Sequence, residues 1–91
     1  MKLNLNFNLK SIDGKEINDS HAGKLLGNIL VSSIKGDALK YYDWGRKLYN
    51  GEDIEIDRSD LNNIKSFVES HEQITILAKA QILEVINTAK E

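Results

Sequence analysis

The stretch DALKYYDWGRKLY, residues 37–49, contains the only tryptophan of the chain, Trp44, and all three tyrosines. Asp37 is a residue type that caps helix N-termini through its side-chain oxygen. Asn50 and Gly51 follow the stretch directly, and this pair is a typical signal for the end of a helix. The sequence therefore predicts an aromatic helix over residues 37–49, and we work outward from it.

The aromatic helix has two interpretations. In one, the aromatic rings are core, the cations are solvated, and Asp43 pairs with Lys47 four residues on. In the other, the rings form a stacking platform with cationic neighbours, which suits a flat anionic ligand such as a small nucleotide. The candidate ligand-binding residues are then Lys40, Tyr41, Trp44, Arg46 and Lys47.

The N-terminus alternates apolar residues with asparagine over residues 3–9, the period of a half-buried strand. A turn follows at Asp13-Gly14. A three-residue loop over residues 12–14 sets Leu9 opposite Ile17 and Lys10 opposite Glu16, which agrees better with the pleat than a two-residue loop. The sequence thus predicts a β-hairpin, with Gly14 in a left-handed conformation.

Apolar residues at helical spacing predict three further helices: one near residues 21–33, one that follows a cap at Asp57 or Ser59 and ends before a connection over residues 70–73, and one near residues 74–90. Asp19 or Ser20 is expected to cap the first of these, and Asp57 or Ser59 the second. Gly23 and Gly27, one turn apart, indicate close packing against another backbone, with a dimer seam as the alternative.

The last predicted helix is apolar on two faces, so we expect it at the centre of the fold or at a subunit interface. Ile54 and Ile56 alternate with acidic residues, and this alternation indicates a third short strand. The predicted class is α+β: one compact domain over residues 1–91, with an N-terminal β-hairpin and about four helices.

Composition excludes several functions. With 91 residues and no cysteine, the chain lacks disulfides and zinc-thiolate sites, so a homo-oligomer is the expected means of stabilisation. A net charge of -2 argues against long nucleic acids as partners. The N-terminal alternation differs from the continuous apolar run of a signal peptide, and no apolar run approaches bilayer length. We therefore expect a cytoplasmic protein without a membrane partner.

The sequence contains no recognisable catalytic arrangement. His21 is expected at the surface, and His71 is expected to pack on the apolar side of its helix. Neither histidine has a nucleophile at a recognisable spacing. We expect no enzyme activity, no catalytic residue, no cofactor and no metal site.

Several motifs carry a resemblance: DGKEI at residues 13–17, KLLGN at 24–28, the segment from AL at 38–39 to KLYNG at 47–51, IEID at 54–57 and KAQILE at 79–84. With them, the chain resembles a set of small proteins encoded by tailed bacteriophages and prophages. The resemblance implies a phage-type accessory protein in the host cytoplasm, and it supplies no activity or site residues.

Together these features predict a non-enzymatic accessory protein that acts by binding. Its concrete form is counter-defence, in which the protein sequesters a nucleotide signal or blocks a host protein. The alternative is a structural or assembly protein of a phage virion or tail, which would use the hairpin edge and the second apolar face of the last helix.

Overall fold

The computed structural model describes residues 1–89, and it confirms the predicted α+β class. Over these residues the elements are β1 (Lys2–Leu3), β2 (Asn8–Lys10), β3 (Glu16–His21), α1 (Ala22–Ser32), α2 (Ala38–Tyr49), β4 (Ile54–Glu55), α3 (Arg58–Ser70) and α4 (Ile76–Thr88). The strands pair antiparallel as β1 with β4 and β2 with β3. Buried apolar residues from all of these helices join Leu3, Leu9 and Ile54 in one core.

The hairpin between β2 and β3 has the predicted three-residue loop. Lys10 faces Glu16, and the Ser11 amide donates to the Lys15 carbonyl at 2.8 Å. Gly14 has a φ of 86°, the left-handed conformation that the loop requires. The turn residues therefore set the register of β2 and β3 next to the loop.

The pairing shifts farther from the turn. Asn8 pairs with His21, and the predicted contact between Leu9 and Ile17 falls within the shifted stretch. Asp19 lies in this stretch with a φ of 61°, an uncommon backbone conformation for a residue with a Cβ atom. The extra residues form a bulge that extends β3 as far as His21.

The prediction of one continuous strand over residues 3–9 is wrong. The chain bends after β1, where the Phe7 amide donates to the Leu5 carbonyl at 2.9 Å. The amides of Ala22 and Gly23 donate to the carbonyls of Phe7 and Leu5, at 2.8 and 3.0 Å. The bend thereby satisfies N–H groups of the first turn of α1, which have no partner within the helix.

The predicted cap of α1 is also wrong. The helix begins after His21, whose Nδ1 accepts the Lys24 amide at 3.1 Å, and neither Asp19 nor Ser20 caps it. The cap moves because β3 keeps an extended backbone up to His21. In α3, Asp57 is the cap and Asp60 completes a capping box, so the first of the two predicted candidates is confirmed.

The two glycines of α1 face α2 of the same chain. A Cβ atom added at Gly23 would lie 2.2 Å from the Leu48 carbonyl oxygen, and one at Gly27 would lie 2.5 Å from that of Gly45. These distances leave no room for a side chain at either position. The interpretation as close backbone packing is confirmed.

The last helix is shorter and less buried than predicted. It spans Ile76–Thr88 with Thr75 as its cap, and the predicted end at Lys90 lies outside the described residues. Ile82 and Ile86 are buried, but Ile76 is 85% exposed. The expectation that α4 lies at the centre of the fold is therefore wrong, and its role in a subunit interface stays a prediction. Within residues 1–89, each helix falls short of the length and apolarity that crossing a membrane requires.

Candidate functional site

The aromatic helix α2 packs on α1 along one flank and meets α3 along the other. Its cap is Asp37, as predicted, and Gly51 follows it with a φ of 77°. Trp44 is 5% exposed and Leu48 is fully buried. The interpretation of the aromatic rings as core is therefore confirmed for Trp44 and wrong for Tyr42 and Tyr49, which are 61% and 44% exposed.

A row of rings connects α2 to α3. The Tyr41 ring lies 5.8 Å from that of Trp44 and 5.6 Å, edge to face, from that of Phe67. The His71 ring continues the row at 5.5 Å from Phe67. Centroid distances of this size are favourable for aromatic pairs, so the row fixes α3 against α2.

The first candidate site, the α2–α3 groove, is lined by three of these rings and has a volume of about 410 Å³. Its apolar lining comes from Tyr41, Trp44 and Phe67, and its polar lining from Asp37, Lys40, Asp60, Asn63, Ser66 and Ser70. Three of the predicted ligand-binding residues, Lys40, Tyr41 and Trp44, thus share one groove.

The electrostatics of the α2–α3 groove do not favour an anion. Lys40 Nζ lies 3.0 Å from Asp60 Oδ1. This hydrogen bond raises the pKa of Lys40 and lowers the pKa of Asp60, so both groups stay charged near neutral pH. Asp37 supplies a second carboxylate. With two carboxylates and one ammonium group, the groove carries no surplus positive charge for phosphates.

The other two predicted ligand-binding residues lie elsewhere on α2. Arg46 and Lys47 both pair with Asp43, at 3.4 and 3.2 Å. The Asp43–Lys47 pair predicted from helical spacing is confirmed. The fold does not bring Arg46 and Lys47 to the groove that holds Trp44, and ligand binding by the five residues stays a prediction.

A second candidate site, which the sequence analysis missed, is the α1–α2 groove. It consists of two depressions of about 240 and 150 Å³ that share Val31 and Tyr42. Its lining residues are Gly27, Asn28, Leu30, Val31, Ser33, Ile34, Lys35, Gly36, Ala38, Tyr41, Tyr42, Gly45, Arg46, Tyr49 and Asn50. Gly27 and Gly45 line it where the backbones of α1 and α2 approach closely, and this pair of glycines was the available sequence signal.

The α1–α2 groove displays large apolar side chains to solvent. Ile34 is 97% exposed, Tyr42 61%, Val31 47% and Tyr49 44%. Most of the well-exposed large apolar side chains within residues 1–89 lie on α1, α2 or the segment between them. A contiguous patch of this kind marks an interaction surface.

Cations flank this apolar surface. Lys35 lines one depression and Arg46 lines the other. The Lys24 ammonium group lies over the Tyr49 ring, 5.5 Å from its centroid. The groove therefore combines an apolar floor with positively charged ends.

Within residues 1–89, no group of three or more histidine and acidic side chains is placed to hold a metal ion. The chain matches no protein-family model, no curated protein and no solved structure at a significant level. Functional inference therefore depends on the geometry of the two grooves.

Proposed function

We propose that this chain is a non-enzymatic phage accessory protein that acts in counter-defence by binding and blocking a host protein. The observation that carries the proposal is the exposed apolar α1–α2 groove around Val31 and Tyr42. Burial of such side chains by a partner removes apolar surface from water and stabilises a complex. The motif resemblance to phage proteins supports the proposal of a phage origin.

A protein partner fits the molecule better than a nucleotide does. In the α2–α3 groove, Asp60 neutralises Lys40, and Trp44 is 95% covered, so little of its ring remains for base stacking. In the α1–α2 groove, apolar lining predominates and the rings of Tyr42 and Tyr49 are accessible. Apolar floors with accessible aromatic rings are typical of protein-binding surfaces.

The test is site-specific photo-crosslinking in bacterial cells, with benzoylphenylalanine in place of Tyr42. Ile12, fully exposed at the hairpin tip, is the matched control position. We expect a host protein to be captured from position 42 and not from position 12. Equal capture from both positions, or from neither, would contradict the proposal.

The nucleotide form of counter-defence remains a second candidate, because Lys40, Tyr41 and Trp44 do share one groove. Native mass spectrometry of the purified protein, with and without cyclic and linear nucleotides, separates the two forms. Uptake of a nucleotide mass would support nucleotide sequestration, with the α2–α3 groove as the binding site. A protein whose mass does not change with any of the nucleotides supports the host-protein form.

Virion or tail assembly is the remaining alternative, and the exposed residues Ile76 and Leu77 on α4 favour it. These side chains would be covered in an assembled particle. Co-purification of the chain with phage particles would support assembly. Particle-free protein in infected cells supports the accessory role.

A further inference from the structure

We infer that the α1–α2 groove accepts an acidic amphipathic helix of its partner protein. The inference rests on the proposed function and names the kind of segment that the groove recognises. It is carried by three features: the length of the groove, the saturated backbone of its walls, and the cations at its two ends.

The length of the groove suits a short helix. Its α2 wall runs from Ala38 to Tyr49, about 16 Å at the rise of an α-helix. A docked helix of three turns covers that length, and its apolar residues at i, i+4 and i+7 would face the floor. Val31 and Tyr42 separate the two depressions, which gives each one room for an apolar side chain.

The backbone of the walls excludes an added strand. In the interiors of α1 and α2 the backbone amides and carbonyls are used within the helices, so these two walls present side chains to a ligand. An extended peptide needs a sheet edge to satisfy its own backbone. A helix satisfies its backbone internally and needs only apolar contact and complementary charge.

The ends of the groove favour acidic flanks on that helix. Lys35 lies at one end, and within residues 1–89 it forms no ion pair. At the other end, Arg46 pairs with Asp43 at 3.4 Å, and Lys24, which lies over the Tyr49 ring and forms no ion pair within residues 1–89, adds a positive charge. Glutamates on the flanks of a docked helix would complement both ends.

A second copy of this chain suits the groove less well. A two-fold axis through the groove would bring the Lys35 end of one copy onto the Arg46 end of the other, so like charges would meet. The α4 helix of another copy offers Ile76 and Leu77, which are neighbours on one turn and not a stripe over several turns. We therefore assign the groove to a different protein.

The test uses two synthetic helical peptides as probes. Both carry leucine at i, i+4, i+7 and i+11, and one has glutamate and the other lysine at the flanking positions. We expect the glutamate peptide to shift the amide NMR signals of Gly27, Val31, Gly45 and Tyr49, with weaker binding at higher salt. The lysine peptide is expected to leave them unchanged.

Variants of the protein make the test specific. Tyr42→Ser removes an exposed ring and Arg46→Glu reverses an end charge, and each is expected to weaken glutamate-peptide binding by about tenfold. Lys15→Glu reverses an exposed charge on the hairpin loop and is expected to leave binding unchanged. Loss of affinity in Lys15→Glu equal to that in Arg46→Glu would overturn the inference, as would equal binding of the two peptides.

The photo-crosslink at position 42 separates this inference from the proposed function. A captured acidic helical segment of a host protein supports both. A captured host segment that is basic or extended overturns the inference and leaves the proposed function in place. A second copy of this chain at position 42 overturns the inference and the host-protein proposal together.

Discussion

At the scale of single residues, the contact between α1 and α2 depends on the absence of side chains. We expect Gly23→Ala to lower the free energy of unfolding by about 1–3 kcal/mol, because the added methyl group would overlap the Leu48 carbonyl. Alanine is the better helix former by about 1 kcal/mol, so the clash must exceed that gain. Urea denaturation followed by circular dichroism measures the difference.

Ser32→Ala is the matched control for this prediction. Ser32 is exposed at the end of the same helix, so the change raises helix propensity without a clash. It is expected to leave stability within about 0.5 kcal/mol. A Gly23→Ala protein as stable as the control would show that α1 and α2 are not packed as closely as described.

Trp44 gives a second prediction at this scale. Because the ring is 5% exposed, Trp44→Ala is expected to reduce the free energy of unfolding by about 3–5 kcal/mol. The measurement is chemical denaturation followed by circular dichroism, since the variant lacks the fluorescent indole. Tyr42→Ala, which truncates a 61% exposed ring on the same helix, is the control and should have a small effect. A Trp44→Ala protein as stable as the unchanged protein would contradict the core role of Trp44 and favour its role as a stacking platform for a ligand.

At the scale of elements, the cap of α3 allows a paired comparison. Asp57 accepts the Asp60 amide at 2.7 Å, and Asp60 reaches back to the Asp57 amide. Asp57→Ala is therefore expected to destabilise the protein by about 1 kcal/mol. Ser59→Ala changes the other predicted cap and should be close to neutral. Thermal denaturation distinguishes them, and equal shifts in the two variants would contradict the assignment.

The ion pair between α2 and α3 makes their contact pH-dependent. The lowered pKa of Asp60 gives stability above its ordinary value of 3.8 that is lost as pH falls. The raised pKa of Lys40 gives stability below its ordinary value of 10.5 that is lost as pH rises. The pair therefore contributes across the range between these values.

Asp60→Asn is the variant that tests this dependence. Denaturation midpoints measured from pH 2 to pH 6 should fall less steeply with acid in the variant than in the unchanged protein. Some acid dependence should remain, because the hydrogen bond from Ser11 also lowers the pKa of Asp13. Identical profiles for the two proteins would show that the Lys40–Asp60 pair adds nothing to stability.

At the scale of the whole molecule, the homo-oligomer stays a prediction, and α4 offers the surface for it. Ile76 is 85% exposed and Leu77 lies beside it. If copies associate through this face, Ile76→Lys should shift the sedimentation profile to smaller species, while Arg46→Glu should not. A monomer at every concentration, in both variants and in the unchanged protein, would contradict the expected oligomer.

Features of the fold were predictable from the sequence where the interacting residues are close together along the chain. The hairpin loop, the Asp37 and Asp57 caps and the Asp43–Lys47 pair were predictable, because each involves residues only a few positions apart. The bend after β1 was not, because it depends on the amides of Ala22 and Gly23 from the start of α1. Local patterns carry no information on such distant partners.

For the candidate site, the sequence supplied residue types and the fold supplied their grouping. Helical periodicity placed the aromatic rings on one side of α2, but it could not say which neighbouring helix each flank meets. Packing of α3 against Tyr41 brought Asp60 to Lys40 and so neutralised the cation expected to bind phosphate. Packing of α1 against Gly45 formed a groove whose two glycines, Gly27 and Gly45, come from different helices.

The sequence by itself determined the α+β class, most of the helices and turns, and the absence of disulfides, because period, capping chemistry and cysteine content are local properties. Only the tertiary structure decided that Trp44 is core, that Arg46 is separated from Lys40, and that apolar surface remains exposed between α1 and α2. The physical reason is that burial and charge neutralisation depend on neighbours in space. In this chain those neighbours lie on other helices.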